Sequence, residues 1–305
     1  MRMQVRTAAG EKRIHAVFEG GGVRAIAFAG AVCAAEERGF SFVRMAGTSS
    51  GAIVASLLAA GYGGDEMKRI ILETPFETFL VRSKLHRLRY AGPALRLLLR
   101  KGLYSADRLE CWIDELLAAK GLATFGDLPP KRLRIIASDI SGGRLLVLPD
   151  DIARYGLHPQ RLRISKAVRM SASIPFFFDP VVLRGPSWEP YYIVDGGLLS
   201  NFPLWLLEEE SGDGGPPTIG FRLVGRREGE PHRITGPVSM LTALFSTMMD
   251  AHDERYIEKP ARSRTVRIPT GDVRATQFSI PKEKSLELFE AGRMAAAAFF
   301  DKWSV

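Results

Sequence analysis

The chain has very few cysteines. Cys33 and Cys111 are the only two in 305 residues, and neither lies at a spacing typical of a metal or redox site. We therefore expect two reduced thiols that pack within helices, and no disulfide framework. No run of carboxylates resembles a calcium loop, so the sequence predicts no metal and no other cofactor.

Long hydrophobic runs are also missing. No stretch of 18 apolar residues occurs, so the sequence contains no candidate helix that spans a bilayer. Residues 1–13 are basic and polar with no apolar segment before Glu11, which does not fit a signal peptide. We expect a cytoplasmic protein with a flexible N-terminal segment, 1–13, and one domain, 14–305. Export as an effector stays open.

Acidic residues are absent between Glu77 and Asp107, although the net charge of the whole chain is only +8. Leucines are frequent in the second half of this interval, and its cations are Arg82, Lys84, Arg87, Arg89, Arg96, Arg100 and Lys101. Basic, leucine-rich segments lie in anionic membrane interfaces, so we interpret residues 80–104 as a membrane-facing insertion. The alternative is a solvated surface helix whose leucines face the core. Tyr90 is the only aromatic residue between the first and last of these cations, so nucleic acid is not an expected partner.

A glycine-rich loop follows the first apolar run. Ile14–Phe18 is typical of a short buried strand, Ile26–Arg38 has helical periodicity, and between them lie Glu19, Gly20, Gly21, Gly22, Val23, Arg24 and Ala25. Backbone N–H groups converge in such a loop, and the helix dipole favours negative charge there. The spacing is neither a dinucleotide fingerprint nor a Walker loop. The oxyanion of an attacked ester carbonyl therefore fits better than a phosphate.

A serine stands at the apex of the next strand-to-helix turn. The apolar run Phe40–Ala46 is followed by Gly47-Thr48-Ser49-Ser50-Gly51 and by a small-residue helical run, Ala52–Gly61. Gly47 and Gly51 let the backbone turn sharply without a Cβ clash. Ser49 is therefore a candidate nucleophile.

An aspartate ends a later strand. Tyr191–Val194 predicts a strand, and Asp195, Gly196 and Gly197 follow it. Active-site residues of α/β sheets tend to lie at this end of a strand. The remaining pattern predicts helices over 65–79, 105–120, 165–173 and 284–303, strands over 133–140, 144–148 and 218–224, a flexible loop over 211–217, and a methionine-bearing helical stripe over 240–249.

In this order and context, the three glycine-containing motifs resemble the patatin-like phospholipase family, in the bacterial branch that includes effector phospholipases. Ser171-Ala172-Ser173-Ile174-Pro175 and the Leu-Leu-Ser-Asn-Phe-Pro stretch after Asp195 support the resemblance, which covers 14–301. It implies an α/β three-layer sandwich whose central, mostly parallel sheet is flanked by helices. Ala25 departs from the glycine with which the family's loop usually ends.

The resemblance also implies a chemistry. Ser49 would be the nucleophile and Asp195 the general base of a Ser-Asp dyad, with the Gly20–Ala25 loop as the oxyanion hole. The substrate would be a phospholipid or another acyl-ester lipid at an anionic membrane surface. The need for a protein activator, which some members have, and the oligomeric state stay open.

Three other interpretations remain at this point. A Ser-His-Asp esterase would need a late histidine, and His158, His232 and His252 are available. A membrane-binding module with a vestigial site would use only the basic interval. A nucleotide-binding protein would use only the glycine loop.

Overall fold

The computed structural model describes most of the chain. The described residues are 12–81, 91–211, 215–225, 234–236, 240, 243, 247 and 263–303. Most of the predicted N-terminal segment (1–11), part of the basic interval (82–90), part of the predicted loop (212–214) and most of the predicted methionine stripe lie outside them, as do His232 and His252. The first strand begins at Lys12, so it includes two residues that the sequence assigned to the N-terminal segment.

The first half of the chain alternates strands and helices. It contains β1 (Lys12–Phe18), α1 (Ile26–Glu36), β2 (Phe40–Thr48), α2 (Ser50–Ala59), α3 (Gly64–Glu73), α4 (Ala91–Arg100), β3 (Gly102–Tyr104), α5 (Asp107–Ala119), β4 (Leu133–Asp139) and β5 (Arg144–Leu148). The predicted helix over 65–79 is wrong in its second half. Because Pro75 cannot continue a helix, α3 ends at Glu73 and a separate 3₁₀ turn covers Phe76–Phe79.

The second half supplies the remaining strands and helices. These are α6 (Ile164–Ser171), β6 (Phe176–Phe178), β7 (Val181–Arg184), β8 (Pro190–Asp195), α7 (Leu204–Ser211), β9 (Thr218–Val224), β10 (Thr265–Pro269) and α8 (Lys282–Phe300). The predicted strand over 218–224 has the same bounds in the structure. The short strands β3, β6, β7 and β10 were not predicted, since three to five residues give too little periodicity to recognise.

A central sheet organises the molecule. Its order is β10-β9-β1-β2-β4-β8-β7, with β5 paired to β4. The pairs from β10 to β4 are parallel, whereas β4 pairs antiparallel with β5 and β8. The strands β1 and β4 are almost wholly buried, which is typical of a sheet covered by helices on both faces. The fold is therefore a mixed α/β sandwich with a mostly parallel centre, as the resemblance implied.

Two glycines let α1 and α8 pack with their backbones in contact. A Cβ at Gly30 would lie 1.9 Å from the Phe289 carbonyl oxygen, and a Cβ at Gly292 would lie 1.8 Å from the Ala27 carbonyl oxygen. Such close approach requires glycine on both helices. It fixes α1, and with it the glycine loop that precedes α1, against the C-terminal helix.

No helix in the described part of the chain is both long and apolar enough to cross a membrane. Nor do the same residues group three His, Cys, Asp or Glu side chains in an arrangement that could hold a metal ion.

Candidate active site

Strand β4 brings Ser49 and Asp195 together. Thr48, the last residue of β2, pairs with Ile136 of β4. Asp195, the last residue of β8, pairs with Ala137, the next residue of the same strand. Two strands whose last residues are 147 positions apart in the sequence therefore end side by side on a common partner, and the predicted nucleophile and base lie next to each other.

The turn at Ser49 is sharp and tightly packed. Ser49 has φ 54° and ψ −125°, outside the ordinary regions for a residue with a side chain. A Cβ at Gly47 would lie 2.4 Å from the Gly51 carbonyl oxygen, and one at Gly51 would lie 2.3 Å from the Phe18 carbonyl oxygen. The glycines two residues before and after the serine are thus required for close packing. A strained strand-to-helix turn of this kind is typical of nucleophile elbows.

Asp195 is buried and accepts two hydrogen bonds. The Ser49 hydroxyl donates one and the Gly197 N–H, at 2.8 Å, donates the other. Burial away from water raises the pKa of Asp195 to about 7, and the two hydrogen bonds reduce this increase. Gly196 is required here because a Cβ would lie 2.3 Å from the Ile136 carbonyl oxygen. The environment therefore makes an aspartate basic enough to accept a proton near neutral pH.

The Ser-Ala-Ser segment at the end of α6 holds both site residues. The Ser171 hydroxyl accepts a hydrogen bond from the Ser49 N–H at 2.8 Å. The Ser173 carbonyl accepts one from the Asp195 N–H at 2.9 Å. The sequence singled out this segment only as a family motif, without a role for its hydroxyls. In the structure it positions the serine relative to the aspartate.

The glycine loop lies beside Ser49, and most of its N–H groups bind within the protein. Gly20 donates to the Asn201 carbonyl at 3.1 Å, and the Asn201 side chain donates back to the Gly20 carbonyl at 3.2 Å. The Gly21 N–H donates to the Ser50 hydroxyl at 3.0 Å. The Val23 N–H donates to the Ala275 carbonyl at 3.0 Å. The loop is therefore anchored from three sides.

The backbone N–H groups of Gly22 and Ser50 lie near Ser49, and neither is recorded in a hydrogen bond among the described residues. Ser50 is the first residue of α2, where N–H groups lack an acceptor within the helix and the dipole is positive. Ala25 has φ −61°, an ordinary right-handed value. The alanine that replaces the usual glycine therefore causes no backbone strain.

An apolar pocket opens next to the nucleophile. Ser49, Ser50 and Gly22 lie on its wall, and the rest of its lining is almost wholly hydrophobic: Val23, Ala25, Ile26, Ala29, Ile53, Val54, Leu57, Met67, Ile70, Ile71, Phe76, Phe79, Leu109, Trp112, Ala172, Ile174, Phe178 and Phe278. Of the consecutive phenylalanines 176–178, Phe178 is buried and lines the pocket, whereas Phe176 is about half exposed. This apolar lining suits an acyl chain rather than a nucleotide.

His158 lies away from this site. It is exposed, accepts a hydrogen bond from the Gln160 N–H through Nδ1, and does not line the pocket. Of the three histidines considered for a triad, the one within the described residues therefore has no contact with Ser49 or Asp195 that the structure records.

A buried carboxylate, a serine on a strained elbow and an apolar pocket thus lie together in an α/β fold. A profile of the patatin-like phospholipase family matches residues 16–207. The chain belongs to this family. Membership of the family implies activity on lipid esters. It is 43% identical over 298 residues to YqhO of Bacillus subtilis (strain 168), described as uncharacterized, covering 95% of this chain and 99% of that protein.

A more distant relative has a name that describes an activity, and two solved structures share the fold. The chain is 24% identical over 198 residues to a probable lipid hydrolase, 463L, of Invertebrate iridescent virus 6, covering 62% of this chain and 61% of that protein. Its fold is similar to that of VipD from Legionella pneumophila, with a TM-score of 0.57, 18% identity, and coverage of 97% of this chain and 67% of VipD. The type III effector ExoU gives a TM-score of 0.53 at 18% identity, covering 95% of this chain and about half (53%) of ExoU.

Proposed function

We propose that the protein is a lipid acyl hydrolase of the phospholipase A or lysophospholipase type, which cleaves fatty-acyl esters through a Ser49–Asp195 dyad and an acyl-enzyme. The observation that carries the proposal is the hydrogen bond from the Ser49 hydroxyl to the buried Asp195 carboxylate, at the wall of an apolar pocket. Nucleophile, base and acyl site thus occur at one place.

The first half-reaction transfers the acyl group to the serine. Asp195 accepts the hydroxyl proton as the Ser49 oxygen attacks the ester carbonyl carbon, and the carbonyl oxygen takes the negative charge. When the tetrahedral intermediate collapses, the alcohol leaves with the proton from Asp195, and an acyl-serine remains. Water then attacks the acyl-serine by the same route and releases the fatty acid.

The Gly22 and Ser50 N–H groups are our candidates for stabilising the oxyanion. Both residues line the pocket beside Ser49, and neither N–H is recorded in a hydrogen bond in the described part of the chain. The residue after the nucleophile commonly supplies one such donor in α/β hydrolases. Within the loop Gly20–Ala25, our candidate oxyanion donor is therefore the Gly22 N–H. The N–H groups of Gly20, Gly21 and Val23 hold the loop in shape.

Fatty-acid release from mixed phospholipid vesicles by the purified chain tests the function. We expect release by the parent in the presence of a chelator, and none by Ser49→Ala. Lysophospholipid and diacyl phospholipid as separate substrates would distinguish the two types of activity. If the parent releases no fatty acid from either, the proposal is wrong.

Gly22→Ala is expected to lower kcat by about 10²–10³-fold, the usual effect of losing one oxyanion donor. Gly22 has φ +58°, and a Cβ there would lie 1.9 Å from the Ala275 carbonyl oxygen, so the added methyl group must displace the loop. Kinetics on a soluble ester would measure the loss.

The matched control is Gly143→Ala. Gly143 has φ +61° but open space around it, in the turn between β4 and β5 and outside the pocket lining. This variant carries the same conformational penalty and should keep full activity. Equal kcat values for Gly22→Ala and the parent would exclude Gly22 from oxyanion binding.

A further inference from the structure

Helix α4 turns its apolar side outward. Leu98 and Leu99 are 79% and 63% exposed and Leu95 is 40% exposed, whereas Arg96 on the same helix is only 4% exposed. The alternative drawn from the sequence, in which the leucines of a solvated helix face the core, is therefore wrong for these three. A surface helix of a protein in water normally has the opposite arrangement.

Arg96 explains how this orientation is held. Its guanidinium binds both carboxylate oxygens of Asp179, at 2.7 and 2.8 Å, and also donates to the Gly102 carbonyl. A bidentate, buried arginine–carboxylate pair is directional and fixes the helix rotation. Asp179 follows Phe178, which lines the pocket. The anchor of α4 therefore lies next to the pocket wall.

The surroundings of the leucines are aromatic and basic. Phe176 is 46% exposed and pairs with Gly102, two residues beyond the end of α4. Arg100 and Lys101, at the end of the helix, are exposed. Between Glu77 and the start of α4, the sequence contains four cations and no carboxylate. Apolar side chains flanked by cations match the acyl region and head groups of an anionic bilayer.

We propose that the leucine face of α4, defined as Leu95, Leu98 and Leu99 together with Phe176, docks the protein on an anionic phospholipid bilayer. The leucines enter the acyl boundary and Arg100 stays at the head groups. Docking brings the pocket wall at Phe178 to the lipid surface. Binding itself is independent of the proposed hydrolysis, so the two can fail separately.

Flotation with vesicles tests this proposal, using Ser49→Ala as the background so that the lipid stays intact. The vesicles are phosphatidylcholine alone or phosphatidylcholine with phosphatidylglycerol. We expect binding to the mixed vesicles, weakened about tenfold or more by Leu98→Gln with Leu99→Gln, since each change removes an inserted side chain. Arg100→Gln should weaken it about fivefold.

Met294→Gln is the matched control. Met294 is 71% exposed on α8. Its replacement removes a similar apolar side chain from a different surface, so binding should not change. The leucine double variant in the active background should still hydrolyse a soluble short-chain ester at the parent rate. That result shows that its fold and pocket are intact.

Three results would overturn the docking proposal. The leucine double variant could bind mixed vesicles as tightly as its background, or the background could bind neutral vesicles as tightly as mixed ones. The third is a dimer in lipid-free solution that the leucine changes dissociate, which would assign this face to a second copy of the chain. Vesicle binding that requires Leu98 and Leu99 in a parent without esterase activity would instead contradict the proposed function alone.

Discussion

Ser49→Ala is expected to lower the rate of ester hydrolysis by at least about 10⁴-fold, because the recorded side-chain hydrogen bond to Asp195 comes from Ser49, whereas the hydroxyl of Ser50, the other serine in the pocket lining, accepts from the Gly21 N–H. The measurement is kcat on a soluble ester and on vesicles. Ser56→Ala is the matched control: Ser56 is also buried on α2, but its hydroxyl donates to the Ile53 carbonyl. It should keep parent activity.

The loss is expected to be non-additive with that of Asp195→Asn. A nucleophile and base that act as one unit give a double variant about as slow as the slower single variant. Rates that multiply would show that the two residues contribute independently, contrary to the dyad. Retained activity in Ser49→Ala would place the nucleophile elsewhere.

The rate of hydrolysis is expected to depend strongly on pH. Because the dyad needs ionised Asp195, with a pKa of about 7, kcat/KM should rise about tenfold per pH unit below 7 and become constant above it. Replacing His158, His232 and His252 together with alanine should leave this profile unchanged. A profile that disappears or shifts in the triple variant would indicate a histidine base.

The same pKa has a consequence for stability. Folding raises the pKa of Asp195 from its ordinary value near 4, so the folded state binds more protons than the unfolded state between about pH 4 and 7. Stability therefore falls as the pH rises through this window, and ionised Asp195 destabilises the fold most above it. Asp195→Asn removes this penalty.

We expect the Tm of Asp195→Asn to exceed that of the parent above pH 7 and the difference to diminish toward pH 4. Thermal unfolding across this range measures it without any substrate. A Tm difference that is constant with pH would mean that Asp195 does not titrate in the window.

The sequence singled out the residues of the candidate site but could not predict how they are arranged. The strands β1, β2, β4, β8 and β9 could be predicted because apolar runs bounded by glycine and polar residues have few other interpretations. That Thr48 and Asp195 pair with adjacent residues of β4 could not be predicted, since strand register depends on contacts between distant segments. From the sequence, only the family resemblance indicated that Ser49 and Asp195 lie close together. The structure shows that they are hydrogen-bonded.

Single long-range contacts account for what could not be predicted from the sequence. In α4, the bidentate pair between Arg96 and Asp179 buries the arginine and leaves the leucines on the exposed side, the opposite of the arrangement expected for a surface helix. In the glycine loop, the sequence treated six residues as equivalent donors. Which of their N–H groups can still donate to a substrate depends on acceptors far away in the chain. The Ser50 hydroxyl, 29 residues from Gly21, and the Ala275 carbonyl, 252 residues from Val23, are two of these acceptors.

Covalent trapping would identify the nucleophile of the proposed dyad. A fluorophosphonate that carries an alkyl chain, incubated with the protein at pH 8 and followed by peptide mass analysis, reports which residue is the activated nucleophile. The dyad predicts modification of Ser49 alone, at the parent rate in the histidine triple variant and at least about 10³-fold more slowly in Asp195→Asn. Modification of another residue, or labelling of Ser49 that depends on a histidine and not on Asp195, would contradict it.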